Sequence, residues 1–151
     1  MGRSLRSAMV AVMMAAGLMS FPAAVDAAGD VQKLALQISD NDKQKMNAVL
    51  NVAANVSRHY SAQGDEVQIE IVAFNAGLHM LRSDTSPVRD RVASFTKSMP
   101  NVTFQACDNT LQGMTKKEGK KPPLLSVAHI VPAGVVRLME LNRKGWTIIR
   151  P

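Results

Sequence analysis

Apolar positions along the chain alternate between short continuous runs and longer stretches with helical spacing. Leu34-Ala35-Leu36-Gln37-Ile38 is a run of the first kind, and it stops at Ser39-Asp40-Asn41-Asp42, a cluster of turn and helix-capping residues. It predicts a strand entering a helix. From Met46 the apolar residues fall at Val49, Leu50, Ala53, Val56 and Tyr60, one face of a helix, and Gln63-Gly64 supplies the stop. Val67 to Phe74 (VQIEIVAF) is rich in β-branched residues and predicts a second strand, ended by Asn75-Ala76-Gly77. A short helical turn is expected from Leu78 to Leu81. Ser86-Pro87 has the form of an N-cap followed by proline in the first helical position, and Val88, Val92, Phe95 and Met99 line one face of the helix predicted behind it.

Val102 to Ala106 predicts a third strand. Cys107 follows, then a polar turn at Asp108-Asn109-Thr110 and a short helix around Leu111 to Lys117. After a lysine-rich loop, Val127 to Val131 predicts a fourth strand. Pro132-Ala133-Gly134 opens a helix carrying Val135, Leu138, Met139 and Leu141, Lys144-Gly145 closes it, and Trp146 to Ile149 predicts a fifth strand. Strands separated by helices, with few tight hairpin signals, favour right-handed crossovers. The expected class is α/β: three layers, α/β/α, around a five-stranded, largely parallel sheet.

The first residues change the picture of where this domain works. Arg3 and Arg6 precede a run of Ala, Met, Val and Leu that reaches Phe21-Pro22 and then small residues, the pattern of a secretory signal peptide. The expectation is a signal over residues 1–27, cleaved after Ala27, and one domain over residues 28–151 in the periplasm or another exported location. The apolar run from Ser7 to Phe21 falls short of the roughly 20 residues a spanning helix needs, so no membrane span is expected after cleavage.

The formal charge of +6 could suggest nucleic acid, but an exported protein meets little of it, and one Trp, one Tyr and four Phe offer few stacking surfaces. No nucleic-acid partner is expected. Lys116-Lys117-Glu118-Gly119-Lys120-Lys121, followed by Pro122-Pro123, reads as a solvated loop. A single cysteine cannot make an internal disulfide, so the fold must stand on its hydrophobic core. His59, His79 and His129 have no metal-ligand spacing, and no Gly-rich phosphate loop is present, so no metal or cofactor is implied. Asn55-Val56-Ser57 and Asn101-Val102-Thr103 match the short glycosylation pattern.

In a parallel sheet the loops leaving the carboxyl ends of the strands share one edge, where open α/β folds bind ligands. Ser39, Asp40 and Asn41 follow the first strand, Asn75 and Gly77 the second, Cys107, Asp108, Asn109 and Thr110 the third, and Pro132 to Gly134 the fourth. Cys107 is the candidate reactive group, ahead of a helix for which Asp108 or Asn109 is the expected cap. A helix N-terminus carries unpaired N–H groups and partial positive charge, which favour a negatively charged sulfur. Asp108 acts in the opposite sense, as an adjacent carboxylate. The alternative is that Cys107 is a small buried packing residue.

The order of elements, the segment VTFQACDNTL and the closing stretch VAHIVPAGVVRLMELNRKGWTIIRP together resemble the DsrE/DsrF-like family, in particular its small exported members. The resemblance runs from about Lys33 to Pro151. It is most specific in A-C-x-N-T-L and in G-V-V-R-L-x-x-L-x-x-x-G-W-x-x-I-x-P. It implies a three-layer domain assembled as a trimer or hexamer. It also implies, at most, a sulfurtransferase-like carrier in which Cys107 accepts sulfur as a persulfide and passes it to a partner protein. The family often has glycine after the cysteine, where this chain has Asp108. The second reading is a non-catalytic oligomeric module that holds a small ligand or serves assembly, with Cys107 structural.

Overall fold

The computed structural model describes residues 31–151, and the expected signal segment, residues 1–27, lies outside the described residues. In chain order the elements are β1 (Gln32–Ile38), α1 (Lys43–Gln63), β2 (Val67–Ala73), a 3-10 segment (Asn75–Leu81), α2 (Arg89–Ser98), β3 (Val102–Cys107), α3 (Asp108–Glu118), β4 (Ala128–Val131), α4 (Gly134–Arg143) and β5 (Thr147–Ile149). The five strands form one sheet in the order β4-β3-β2-β1-β5, and every pairing is parallel. The fold is therefore the α/β class read from the sequence.

Period-two alternation divides the strand side chains between two faces. Leu34, Leu36, Ile38, Ile69, Ile71, Phe104 and Ala106 share one face with Met46, Val49, Leu50 and Ala53 of α1, Val92 and Phe95 of α2, and Leu111 of α3. On the other face lie Ala35, Val72, Phe74 and Cys107, packed against Leu138 and Leu141 of α4, with Trp146 and Ile148 alongside. Each fully buried Leu or Ile contributes about 2 kcal/mol, so the first face dominates stability. The second face is a small cluster under a single helix. That is the setting of the cysteine.

Asp42 caps α1 by accepting the Lys45 N–H at 2.8 Å. Gly64 ends that helix in the left-handed region, at φ 79°. Several element boundaries differ from those expected. The helical turn after β2 begins at Asn75 rather than Leu78. Helix α2 begins at Arg89, not at Pro87, because Ser86 Oγ accepts the Val88 N–H at 3.3 Å and donates to the Met80 carbonyl at 2.7 Å, which binds it to a turn before the helix. Asp108-Asn109-Thr110 is not a turn but the first turn of α3, which follows β3 with no intervening loop. Lys116 and Lys117 belong to the last turn of that helix rather than to a loop.

Arg82, only 3 % exposed, fastens the end of the 3-10 segment to α3. Its guanidinium donates to Asp84 at 2.9 and 2.7 Å and to Glu118 at 2.5 and 3.0 Å. The Arg82 hydrogen bonds hold the Asp84 carboxyl down at about 2 and lower that of Glu118.

Candidate functional site

Cys107 is the last residue of β3 and the N-cap of α3, with φ −70° and ψ 116°. Neither Asp108 nor Asn109 is the cap, in contrast to expectation. Asp108 already has helical backbone, and its carboxylate accepts from Gln112 Nε2 at 2.6 Å along the same helix. The thiol makes no side-chain capping bond. One N–H of the first turn, that of Asn109, donates to the Pro132 carbonyl at 3.2 Å and ties α3 to the segment leading into α4.

Helix α4 starts beside this point. Its N-cap, Ala133, has no side chain able to cap, so two helix N-termini without side-chain caps converge on one place. Between them lies a cavity of about 440 Å³, lined by Phe74, Asn75, Cys107, Asn109, Thr110, Gly113, Ala133, Gly134 and Val135. Partial positive charge at both helix ends favours a negatively charged group there.

Local packing explains the residue types. A Cβ on Gly134 would lie 2.9 Å from Phe74 Cβ and 3.1 Å from its ring, so only glycine lets α4 approach this closely. Asn75 sits in the left-handed region at φ 50°, which asparagine tolerates better than most residues, and its N–H donates to Thr110 Oγ1 at 2.9 Å. That bond joins the loop after β2 to the first turn of α3.

Asn75, Asn109, Thr110 and Gly134 are thus brought together with Cys107. Asp108 is absent from the cavity lining, its carboxylate being turned along α3. Gly77 and Ser39 meet elsewhere: a Cβ on Gly77 would collide with the Ile38 carbonyl and lie 2.8 Å from the Ser39 nitrogen, so these residues are a backbone packing contact. Asp40, just after β1, stays apart from this site: α3 packs on one face of the sheet and α4 on the other, so the connections reverse between β3 and β4, beside Cys107, which is where a ligand is ordinarily expected. Asp40 accepts from Arg150 at 2.8 Å and pairs with Lys45 at 3.2 Å. These cations, Arg150 first, hold its carboxyl below the usual range. The Asp40 carboxylate is thus committed to an ion pair. The lysine segment lies at the opposite end of α3, about 16 Å along an eleven-residue helix, and does not cover the thiol.

Ala133, from the Pro132–Gly134 segment expected at this edge, also lines the cavity, and Phe74, Gly113 and Val135 complete it from outside the expected site residues. Phe74 ends an apolar run, which reads as core; its place on the edge follows only from the tertiary approach of α4. His59 contacts Gln63 at 3.1 Å and His79 contacts Thr85 at 2.7 Å. Among the described residues no three His, Cys, Asp or Glu side chains gather as a metal-ligand set. No helix among them is long and apolar enough to cross a membrane.

No protein-family model matches the chain, and no curated protein matches it. Among solved structures it is similar to MTH1491 from Methanobacterium thermoautotrophicum, a protein of unknown function. The identity is 28%, over 80% of this chain and 99% of that one, with a TM-score of 0.67. The likeness concerns architecture, and the chemistry rests on the site itself.

That site can do one thing readily. A sulfur at a strand end, beside two helix N-termini and in the wall of an open cavity, is placed to exchange a second sulfur or a small group with what enters that cavity.

Proposed function

We propose that this chain is an exported DsrE-like protein that carries sulfur on Cys107 as a persulfide, or exchanges thiols through it, in exchange with a donor or acceptor protein. The observation that carries this reading is the position of Cys107 between two helix N-termini without side-chain caps, at the wall of a 440 Å³ cavity. In the transfer step the Cys107 thiolate attacks the sulfane sulfur of a donor, forming a new S–S bond. The donor's own bond to that sulfur breaks, and the donor leaves as a thiolate, or as sulfite when it is thiosulfate. The partial positive charge at the two helix N-termini favours the negative charge that a persulfide carries. Assembly as a homo-oligomer is supported by Val135, Val136 and Met139, large apolar side chains exposed on α4 beside the cavity.

The test is mass spectrometry of the native protein after incubation with thiosulfate or polysulfide, with Cys107→Ser as control. One added sulfur on Cys107, removed by a reducing thiol, is expected. No added sulfur on Cys107 under either donor ends this reading.

One observation favours a second reading. Cys107 is only 5 % exposed and packs with Ala35, Val72, Phe74, Leu138 and Leu141. A sulfur so enclosed also serves as core. On that reading the chain is a non-catalytic oligomeric module, and native Cys107 is alkylated no faster than the protein opens.

A further inference from the structure

Parallel sheets are ordinarily covered on both faces, yet α4 covers only part of its face here. Beyond it, towards the amino ends of the strands, the side chains are polar: Gln68 and Glu70 on β2, Thr103 and Gln105 on β3, and His129 on β4. They line a cavity of about 1150 Å³, walled also by Arg137 and Trp146. The register pairs Glu70 with Thr103 and Gln105 with His129, so these side chains share one face. Neither Gln105 nor His129 belongs to the Cys107 cavity, which lies about 7 Å further along β3.

Gln105 distinguishes this cavity from a merely wet surface. It is 8 % exposed, and its side-chain amide has no hydrogen-bond partner among the described residues. A carboxamide enclosed to that degree is costly to leave unpaired. No fully buried polar side-chain atom of the described residues lacks a partner, so the Gln105 amide opens onto the cavity. It offers a donor and an acceptor side by side. The guanidinium in the wall is already matched: Arg137 donates from Nε and Nη2 to Glu70 at 2.6 and 2.8 Å. With the guanidinium occupied and Asp65 and Glu66 at the rim, the floor does not select an anion.

The geometry points to a binding site for a small, uncharged, planar amide. Its C=O and N–H pair reciprocally with the Gln105 carboxamide, His129 and Thr103 supply further hydrogen bonds, and its ring lies against Trp146. This is independent of any sulfur chemistry at Cys107.

The test is a titration of the 15N-labelled full chain with nicotinamide and, separately, uracil, followed by amide and indole resonances. Expected are saturable shifts at the Gln105 side-chain amide, the His129 backbone and the Trp146 indole, with Kd on the order of 1 mM. Gln105→Leu is expected to weaken binding about tenfold or more, while Cys107→Ser leaves it unchanged. Gln105→Glu removes the donor with little change of shape and gives the same loss if Gln105→Leu does not fold. The proposal is overturned by absence of saturable shifts, by shifts that persist in both Gln105 variants, or by inorganic phosphate reproducing them. It is equally overturned if dilution of the protein alone moves these resonances, because a second copy then fills the cavity.

Discussion

Arg137 of α4 and Glu70 of β2 form a two-pronged ion pair, at 2.6 and 2.8 Å, with the Glu70 side chain 5 % exposed. The pair lies in the wall of the larger cavity. Glu70 stands level with Thr103, and Gln105 and then Cys107 follow successively nearer the carboxyl ends of the strands, while α4 owes its placement over the sheet partly to this contact. The same hydrogen bonds raise the Arg137 pKa above its ordinary value.

Removing one partner strands the other. Arg137→Leu leaves the Glu70 carboxylate enclosed with only the open cavity to hydrate it, at an expected cost of about 2 kcal/mol. The double variant Glu70→Leu/Arg137→Leu is expected to cost less than the sum of the two single changes, because no charge remains to be desolvated. Urea denaturation of the four proteins gives the coupling directly. Strict additivity would mean that the pair contributes nothing as a pair.

Gly134 sets the distance between α4 and β2. A Cβ there meets Phe74 Cβ at 2.9 Å, inside any normal contact, so Gly134→Val must push the helix start away from the sheet. The expected destabilisation is about 1–3 kcal/mol, from overpacking at a small cluster. The cavity wall moves with it, so native alkylation of Cys107 is expected to accelerate by more than the fall in global stability explains. Alkylation rate and denaturation midpoint measured on the same variant separate the two effects.

Acid sensitivity is expected from the Arg82 cluster. Asp84 is held at about 2 against an ordinary 3.8, and Glu118 is lowered from 4.5, both by Arg82. These are depressed carboxyl values, so the stabilisation is complete above the ordinary values and is lost as pH falls from about 4.5 towards 2. The fall in thermal midpoint between about pH 5 and pH 2 is therefore expected to be steeper in the native chain than in Arg82→Met. Both carboxylates are partly solvated, so added salt should reduce the difference. Equal slopes would place the acid sensitivity elsewhere.

The architecture was legible because each strand is a short apolar run and each helix repeats with its own period, as at Val49, Leu50 and Ala53. The crossover order then followed from the alternation. What was not legible were the places where local preference is overridden. Asp108-Asn109-Thr110 consists of residues that favour turns, but the same residues favour helix N-termini, and the direct passage from β3 to α3 chose the second use. Asp40 looked like a ligand-edge residue because its partner, Arg150, stands 110 positions away. The uncovered polar face had a signal that went unused: Gln68 and Glu70, then Thr103 and Gln105, alternate within strands otherwise apolar. Period-two polarity of that kind marks one face of a sheet that its own helices do not cover.

The bond from the Asn75 N–H to Thr110 Oγ1, at 2.9 Å, joins the loop after β2 to the first turn of α3 at the thiol cavity. Asn75 is held at φ 50°, a conformation that costs energy unless its surroundings fix it. Thr110→Val keeps the side-chain volume and deletes the acceptor. Because the freed N–H can reach water, the expected cost is modest, about 0.5–1.5 kcal/mol. The larger effect is expected at the cavity, since Asn75 relaxes and the wall beside Cys107 loosens. Thr110→Ser retains the hydroxyl and should restore native behaviour in both stability and thiol alkylation. If Thr110→Val and Thr110→Ser alter the alkylation rate equally, the hydroxyl is not what shapes access to the sulfur, and packing of the threonine methyl is.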